Sequence, residues 1–384
     1  MVDQTRSQRM QKQTQPDHAP EAAAPSEKPP RIEILSKGRV APLTNMTVAR
    51  GGKRGEFDGG AYYSDGSVCA TGLQIKGSLD NRPRAIGESE IAERISGCHI
   101  FGGLLQNRHF GHFITESITR IWAAEYLSSD FRSIVFYLRS LDRPIAGFVG
   151  NVLNELSPGL EVRFVSAPTE FEILAVPEQI GHPKHGFVYG HSAVRRAFRK
   201  ARANRSAGPK KVYVSRSALK AMEGGFLLEE LLEQNLEREG YVIIHPQELS
   251  IKEQLDIYYS AENLVFAEGS ALHLYALMAR PEQRVFSVWR RKMSGGFDWQ
   301  IRSFGGAPLC GTPSIRRMWV PGSEFGAAAR ARADLDFEDL RRQLMAGGFI
   351  SGSNWKNPSD EEIADELGRL QKVTKTPFIE CPAP

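Results

Sequence analysis

The chain has 384 residues, of which 41% are hydrophobic and 24% charged, with a formal net charge of +4. This length suggests two domains, or one large domain with tails, and the apolar share is ample for real cores. So small a net charge argues against a nucleic-acid binder, although a mildly basic surface suits an anionic substrate or a membrane face. The four cysteines, Cys69, Cys98, Cys310 and Cys381, are scattered without a CxxC pair. They imply neither a zinc site nor a disulfide framework, and a reduced, cytosolic compartment fits them best. The N-terminus has no apolar segment of the secretory kind, and no run is long enough to span a bilayer.

Residues 1–30 are rich in Gln, Ala, Pro and charge, lack apolar periodicity and are expected to be disordered. Folding is expected to begin near Arg31–Leu35. From there to about Ser96 the chain is rich in turns, and short alternating runs such as Ser67–Thr71 read as hairpin strands. No catalytic motif stands out in this stretch. Cys98 to about Gly103 reads as a strand, and from Phe110 the spacing of Phe113, Ile114, Ile118, Ile121 and Trp122 predicts a helix. On that helix His112 and Glu116 are four apart and share a face. Such a pair at a loop-to-helix junction suits acid–base chemistry, and it equally suits a structural contact. Strands over 134–138, 161–165 and 171–176 and a helix over 145–156 complete the first half.

Residues 177–189 read as a connection that carries His182 and His185, with His191 just beyond. No carboxylate or cysteine completes a metal-ligand set at recognisable spacing. A basic helix over 193–203 reads as a solvated face. From Lys211 the pattern alternates strand and helix: Val212–Val214, then a helix over 226–236 ended by Gly240, then 241–244. A helix over 248–259, with Ser250 and Glu253 at capping-box spacing, leads to the strand 263–267 and a further apolar helix. This βαβαβα order predicts a parallel sheet covered by helices, with ligands beyond the carboxyl ends of its strands. Two polar clusters fall at those ends, Ser215-Arg216 and Glu268-Gly269-Ser270. A helix N-terminus after Gly-Ser, with an arginine fork nearby, forms a cradle for phosphate or pyrophosphate. Taken singly, Arg216 could be an ordinary ion-pair partner and Gly-Ser an ordinary cap. A strand over 283–289 follows, then a substrate-side loop over 290–306, and amphipathic helices over 334–345 and 359–373.

Between about Ile100 and Val288 the chain resembles glycosyltransferase family 61, which includes bacterial capsular-polysaccharide enzymes. The resemblance is carried by Val212-Tyr-Val-Ser-Arg216, Gly240-Tyr-Val-Ile-Ile-His-Pro-Gln-Glu-Leu-Ser250, Gln254, Ala261 and Glu268-Gly-Ser-Ala-Leu-His273. Phe110-Gly-His-Phe-Ile-Thr-Glu116 matches more loosely. The resemblance implies an α/β, GT-B-like fold, two Rossmann-like domains facing a cleft. Residues 31–190 would then form an acceptor-side domain with a β-rich start, 191–320 a nucleotide-sugar domain, and 321–384 C-terminal helices and a tail. It also implies an inverting, metal-independent transfer without a cofactor. The donor would be a nucleotide-sugar, a UDP-sugar first, and the acceptor a polysaccharide or lipid-linked glycan. The protein would work in the cytoplasm or at the inner face of the membrane, with no nucleic-acid partner. By the same resemblance Glu116, with His112, takes the acceptor proton. Ser215 and Arg216 hold the diphosphate, Gly269 and Ser270 give it their backbone amides, and Glu268 and Ala271 complete the cofactor-binding set. A glutamate in a closed cleft beside a helix terminus is expected to titrate above its ordinary value.

The chain departs from the family pattern at His109, where Asn is usual, and over 217–228, which lacks an Asn-Glu pair; Glu229 or Glu230 is the nearest substitute. Two other readings remain open at this point. One is a polysaccharide pyruvyl transferase-like enzyme, and the other a non-catalytic nucleotide- or carbohydrate-binding protein.

Overall fold

The computed structural model describes residues 28, 30–47, 54–77, 79–138, 144–203, 205–322 and 330–381. The tail expected to be disordered lies, but for residues 28 and 30, outside them. The protein is a mixed α/β structure built on two principal sheets. The first has six strands, in the order Gly60–Tyr62, Ile32–Ala41, Thr169–Pro177, Glu93–Leu105, Phe131–Leu138, Glu161–Val165. Its last four strands run parallel, and Ile32–Ala41 lies antiparallel against Thr169–Pro177.

The second sheet has five parallel strands, in the order Val242–Ile244, Lys211–Val214, Asn263–Ala267, Arg284–Val288, Leu309–Cys310. Each strand is short, and the central ones are buried on both faces, as a sheet covered on both sides requires. In chain order the strands run 2-1-3-4-5. The strand order therefore reverses between Lys211–Val214 and Asn263–Ala267, and that crevice is where open α/β sheets bind ligands. The capping box of Ser250 and Glu253 is formed, and it starts the helix Ile251–Ser260.

One apolar core joins the two sheets. It runs from Ile100 and Ile134 of the first, through Val149, Val194 and Phe198, to Leu264, Leu274 and Ile301 of the second. A smaller four-stranded sheet, Gly225–Phe226, Arg332–Leu335, Ile315–Pro321, Phe378–Cys381, closes the far side. The helix Asp360–Thr374 packs Ile363, Leu367 and Leu370 against Leu227 and Phe378 there.

Several local expectations are corrected. Ser67–Thr71 is a bridge at Val68 followed by a 3₁₀ turn, Ala70–Gly72, where a Cβ on Gly72 would meet Ala61 at 2.8 Å. The helix expected over 226–236 begins only at Glu229, because Leu228 is left-handed (φ 54°) and Gly225–Phe226 pairs as a strand. The loop expected over 290–306 contains the helix Gly295–Ser303, started by the Ser294 hydroxyl. Asp334 belongs to a strand, and the helix after it spans Phe337–Ala346, capped by Asp336. The end of the chain, expected to carry only helices and a tail, also supplies an edge strand, Phe378–Cys381.

Candidate active site

The element that carries His112 and Glu116 is not a regular helix. It opens with one α-helical turn, Phe110–His112, widens to a π-helical turn, Phe113–Ser117, and tightens to a 3₁₀ run, Ile118–Glu125. Single π turns recur at functional sites, because they re-aim side chains that regular spacing would bury or scatter. Glu116 lies in the π turn, 4% exposed. Its Oε1 is 2.7 Å from His112 Nδ1, and its Oε2 accepts from Lys76 Nζ. Burial by itself pushes the Glu116 carboxyl up. The hydrogen bond from His112 and the charge of Lys76 outweigh that push, so the group titrates below its ordinary value. The expected upward tuning is therefore reversed. Since Glu116 is ionised, Nδ1 of His112 must be the protonated nitrogen. In the neutral ring Nε2 is then the acceptor, on a side chain that is 53% exposed.

Lys76 comes from the turn-rich start of the chain, where the sequence showed no motif. The buried guanidinium of Arg120 fastens this segment over the π turn. It donates to the carbonyls of Gly72 and Leu73 and to Gln74 Oε1, and Gln74 in turn donates to the Glu116 carbonyl. Burial pushes Arg120 down to about 10. Arg120 is four residues beyond Glu116, so ionisable residues recurring at 112, 116 and 120 were the available signal for a polar face.

Gly111 brings this element to the second sheet. A Cβ there would lie 3.0 Å from Ser270 Cβ and 3.7 Å from His273 Cδ2. Ser270 precedes the helix Ala271–Met278, and its side chain makes no capping bond, so the helix N-terminus is not closed by its own hydroxyl. Beside it, Arg216 is fixed by two bonds to the Gly224 carbonyl, at 3.0 and 2.8 Å. Its Nη1 packs so closely on Gly269 that a Cβ there would meet it at 2.6 Å. Burial lowers the Arg216 pKa, and the carboxylates of Glu229 and Glu268 oppose that shift.

A cavity of about 420 Å³ opens at this junction. Arg216, Gly269, Ser270 and Ala271 line it, together with Pro246, Gln247 and Ser250 beyond the next strand and Phe110, Phe148 and Asn151 from the first half. Phe110 and Phe148 meet edge to face at 5.3 Å. The size suits a nucleotide-scale ligand. Gln254 holds the wall in place by donating to the carbonyls of Pro246 and Leu249.

The side chains of two expected cofactor-binding residues are otherwise engaged, although Ser215 also lines the cavity. The Ser215 hydroxyl is 2.6 Å from Glu233 Oε1 and 3.0 Å from Glu229 Oε1, so its single proton goes to a carboxylate. Glu229 also accepts from Tyr213 and from the Arg216 amide, which makes it, rather than Glu230, the carboxylate that braces this turn. Burial raises the Glu229 pKa. The side chain of Glu268, 1% exposed, is clamped by Arg290 (3.2 Å) and Arg291 (2.9 Å). Arg290 and Arg291 follow the strand Arg284–Val288, at the same edge of the sheet. Composition alone placed them in a substrate-side loop, and their tie to Glu268 was not legible. Asn107 is a further polar group near the start of the element; it is buried, and neither of its amide atoms has a partner among the described residues.

The three histidines of the connecting segment do not converge. His182 and His185 stack at 4.9 Å, whereas His191 caps the helix Ser192–Ala197.

The arrangement places the His112–Glu116 pair next to Arg216, Gly269 and Ser270 at the switch point of a parallel sheet. Residues 110–285 match the family described as glycosyltransferase 61. The match spans the π turn, the Ser-Arg corner and the Glu-Gly-Ser corner, and it supports a glycosyltransferase. No curated protein matches the chain. Among the described residues, no helix is long and apolar enough to cross a membrane.

Proposed function

We propose that the protein is an inverting glycosyltransferase of GT-B-like arrangement. Residues 31–190 form its acceptor side, and 191–320 bind a nucleotide-sugar, a UDP-sugar first. The acceptor is a polysaccharide or lipid-linked glycan of the capsular type, met in the bacterial cytoplasm or at the inner membrane face. The observation that carries this reading is the contact of Gly111 with Ser270, which sets the His112–Glu116 pair against the cradle of Arg216, Gly269 and Ser270.

The geometry supports the following chemistry. The nucleoside occupies the cavity between Phe110–Phe148 and the 246–250 wall. Its diphosphate lies on the N-terminus of the helix Ala271–Met278, beside Arg216. The acceptor hydroxyl attacks the anomeric carbon from the side of His112. Its proton passes to Nε2 as the new O–C bond forms. The bond from the anomeric carbon to phosphate oxygen breaks, and its electron pair leaves on the diphosphate. Charge growing there meets backbone N–H groups and guanidinium already in place, which is where electrostatic catalysis is strongest. Glu116 is the buried anchor that fixes the tautomer and steadies the imidazolium, because both of its oxygens are bound and its basicity is reduced.

A thermal-shift series with UDP, GDP, CMP and their sugars, with and without EDTA, tests the reading. One nucleotide family should raise Tm, with or without EDTA, and the shift should vanish in Arg216→Ala; saturating ligand at about 100 Kd is worth roughly 2.7 kcal/mol. No shift with any nucleotide would refute it.

A further inference from the structure

From the dyad a series of aromatic rings leads outward. The first link is His273, whose Cδ2 edge faces Gly111. Its ring contacts Phe187 at 5.7 Å, and Phe187 contacts His185 at 5.8 Å. His185 stacks on His182, which meets Trp299 edge-on at 4.5 Å, and Trp299 contacts Tyr189 at 5.7 Å. All five outer rings, His182, His185, Phe187, Tyr189 and Trp299, are at least partly exposed, and none of them lines the donor cavity.

The platform is tied rigidly to the catalytic element. The Val188 amide donates to the Thr115 carbonyl at 2.7 Å, so Phe187 and Tyr189 flank the residue before Glu116. The Gly77 amide donates to the His185 carbonyl, next to Lys76. Gln300 clasps both sides, accepting from His273 Nδ1 at 2.7 Å and donating to the Val188 carbonyl at 2.9 Å. A partly exposed cluster of aromatic rings tied to the element that carries His112 and Glu116 can serve as a positioning surface. Its rings have apolar faces and, in His, Trp and Tyr, polar edges. A pyranose ring has the complementary chemistry, a face of C–H groups bordered by hydroxyls.

We propose that His182, His185, Phe187, Tyr189 and Trp299 form the acceptor subsite, a platform on which sugar rings of a glycan chain stack and deliver one hydroxyl to His112. The identity of the ligand as a glycan rests on the transferase reading above; the platform itself rests on the ring geometry.

The test uses the full chain, fluorescently labelled, on a microarray of defined oligosaccharides, with nucleotide thermal shifts measured in parallel. The wild type should bind at least one glycan, and Trp299→Ala and His185→Ala should each weaken that binding tenfold or more. Trp299→Phe should keep most of it, and all three should keep the nucleotide shift and the wild-type melting temperature. Glycan binding unchanged in both alanine variants, or no glycan bound by the wild type, would overturn the proposal. A fall in binding that tracks a fall in melting temperature would also overturn it, because it would mark a structural role. Glycan binding lost at Trp299 while no nucleotide shifts the wild type would sustain the platform and refute the donor assignment instead.

Discussion

Glu116 has no oxygen to spare. One is taken by His112 and the other by Lys76, and the carboxylate is buried beneath both. A carboxylate so placed is a poor proton acceptor and a good orienter. On the proposed mechanism the pair acts as a unit, and units of this kind are non-additive. His112→Ala should lower kcat by about 10²–10⁴-fold, the usual worth of general base catalysis. Glu116→Gln should lower kcat within the same range, and the double variant should be no worse than the poorer single one. Steady-state kinetics on the three variants decide the matter. A fully active His112→Ala enzyme with a dead Glu116→Gln would return the proton to the carboxylate. The spacing of His112 and Glu116 was legible in the sequence, because four residues is one turn. The assignment of roles was not, since Lys76 reaches Glu116 across forty residues of chain with no periodic pattern to announce it.

The elements around the site work through close backbone approach. Gly269 allows the Arg216 guanidinium to lie against the helix start, and a methyl group there would meet Nη1 at 2.6 Å. Gly269→Ala should therefore displace Arg216 and weaken nucleotide binding tenfold or more. It should leave kcat at saturating donor closer to wild type than the His112 variants do. Isothermal titration with the nucleotide that gives the thermal shift checks this, and an unchanged Kd would mean that Arg216 makes no contact with the phosphates. Strand and helix periodicity was a good guide in this half, because a parallel βαβ run writes its period plainly. It failed where tertiary contacts override propensity. Leu228 is forced left-handed ahead of Glu229, and the widened turn at Phe113–Ser117 sits inside a run that reads as an ordinary amphipathic helix.

Across the whole molecule, the continuous core joining the two sheets makes local protonation a matter of global stability. His273 sits in that junction. Desolvation pushes its pKa from 6.5 down to about 4, although Gln300 opposes the shift. The folded state therefore refuses a proton that the unfolded chain accepts between those values. Stability contributed by neutral His273 is complete above pH 6.5, falls as pH drops from 6.5, and levels off below about 4. His273→Gln should flatten that decline, which urea midpoints at pH 7 and pH 5 would measure. An equal decline in both proteins would place the titration elsewhere. At this scale the parallel second half could be derived from sequence. The mixed first sheet could not, since its Ile32–Ala41 strand pairs with Thr169–Pro177 across a long separation that no local pattern encodes.

The match to known sequences covers residues 110–285, yet the ion pairs of the site cross both of its borders. Lys76 lies before the first border, and Arg290 and Arg291 lie after the last. A fragment trimmed to the recognisable region would hold two desolvated carboxylates, Glu116 and Glu268, stripped of their compensating cations, a defect of about 3–5 kcal/mol for each broken buried pair. What is inherited as a recognisable unit is thus smaller than what is electrically complete. The flanks on either side of the matched region supply the cations that complete the ion pairs of Glu116 and Glu268.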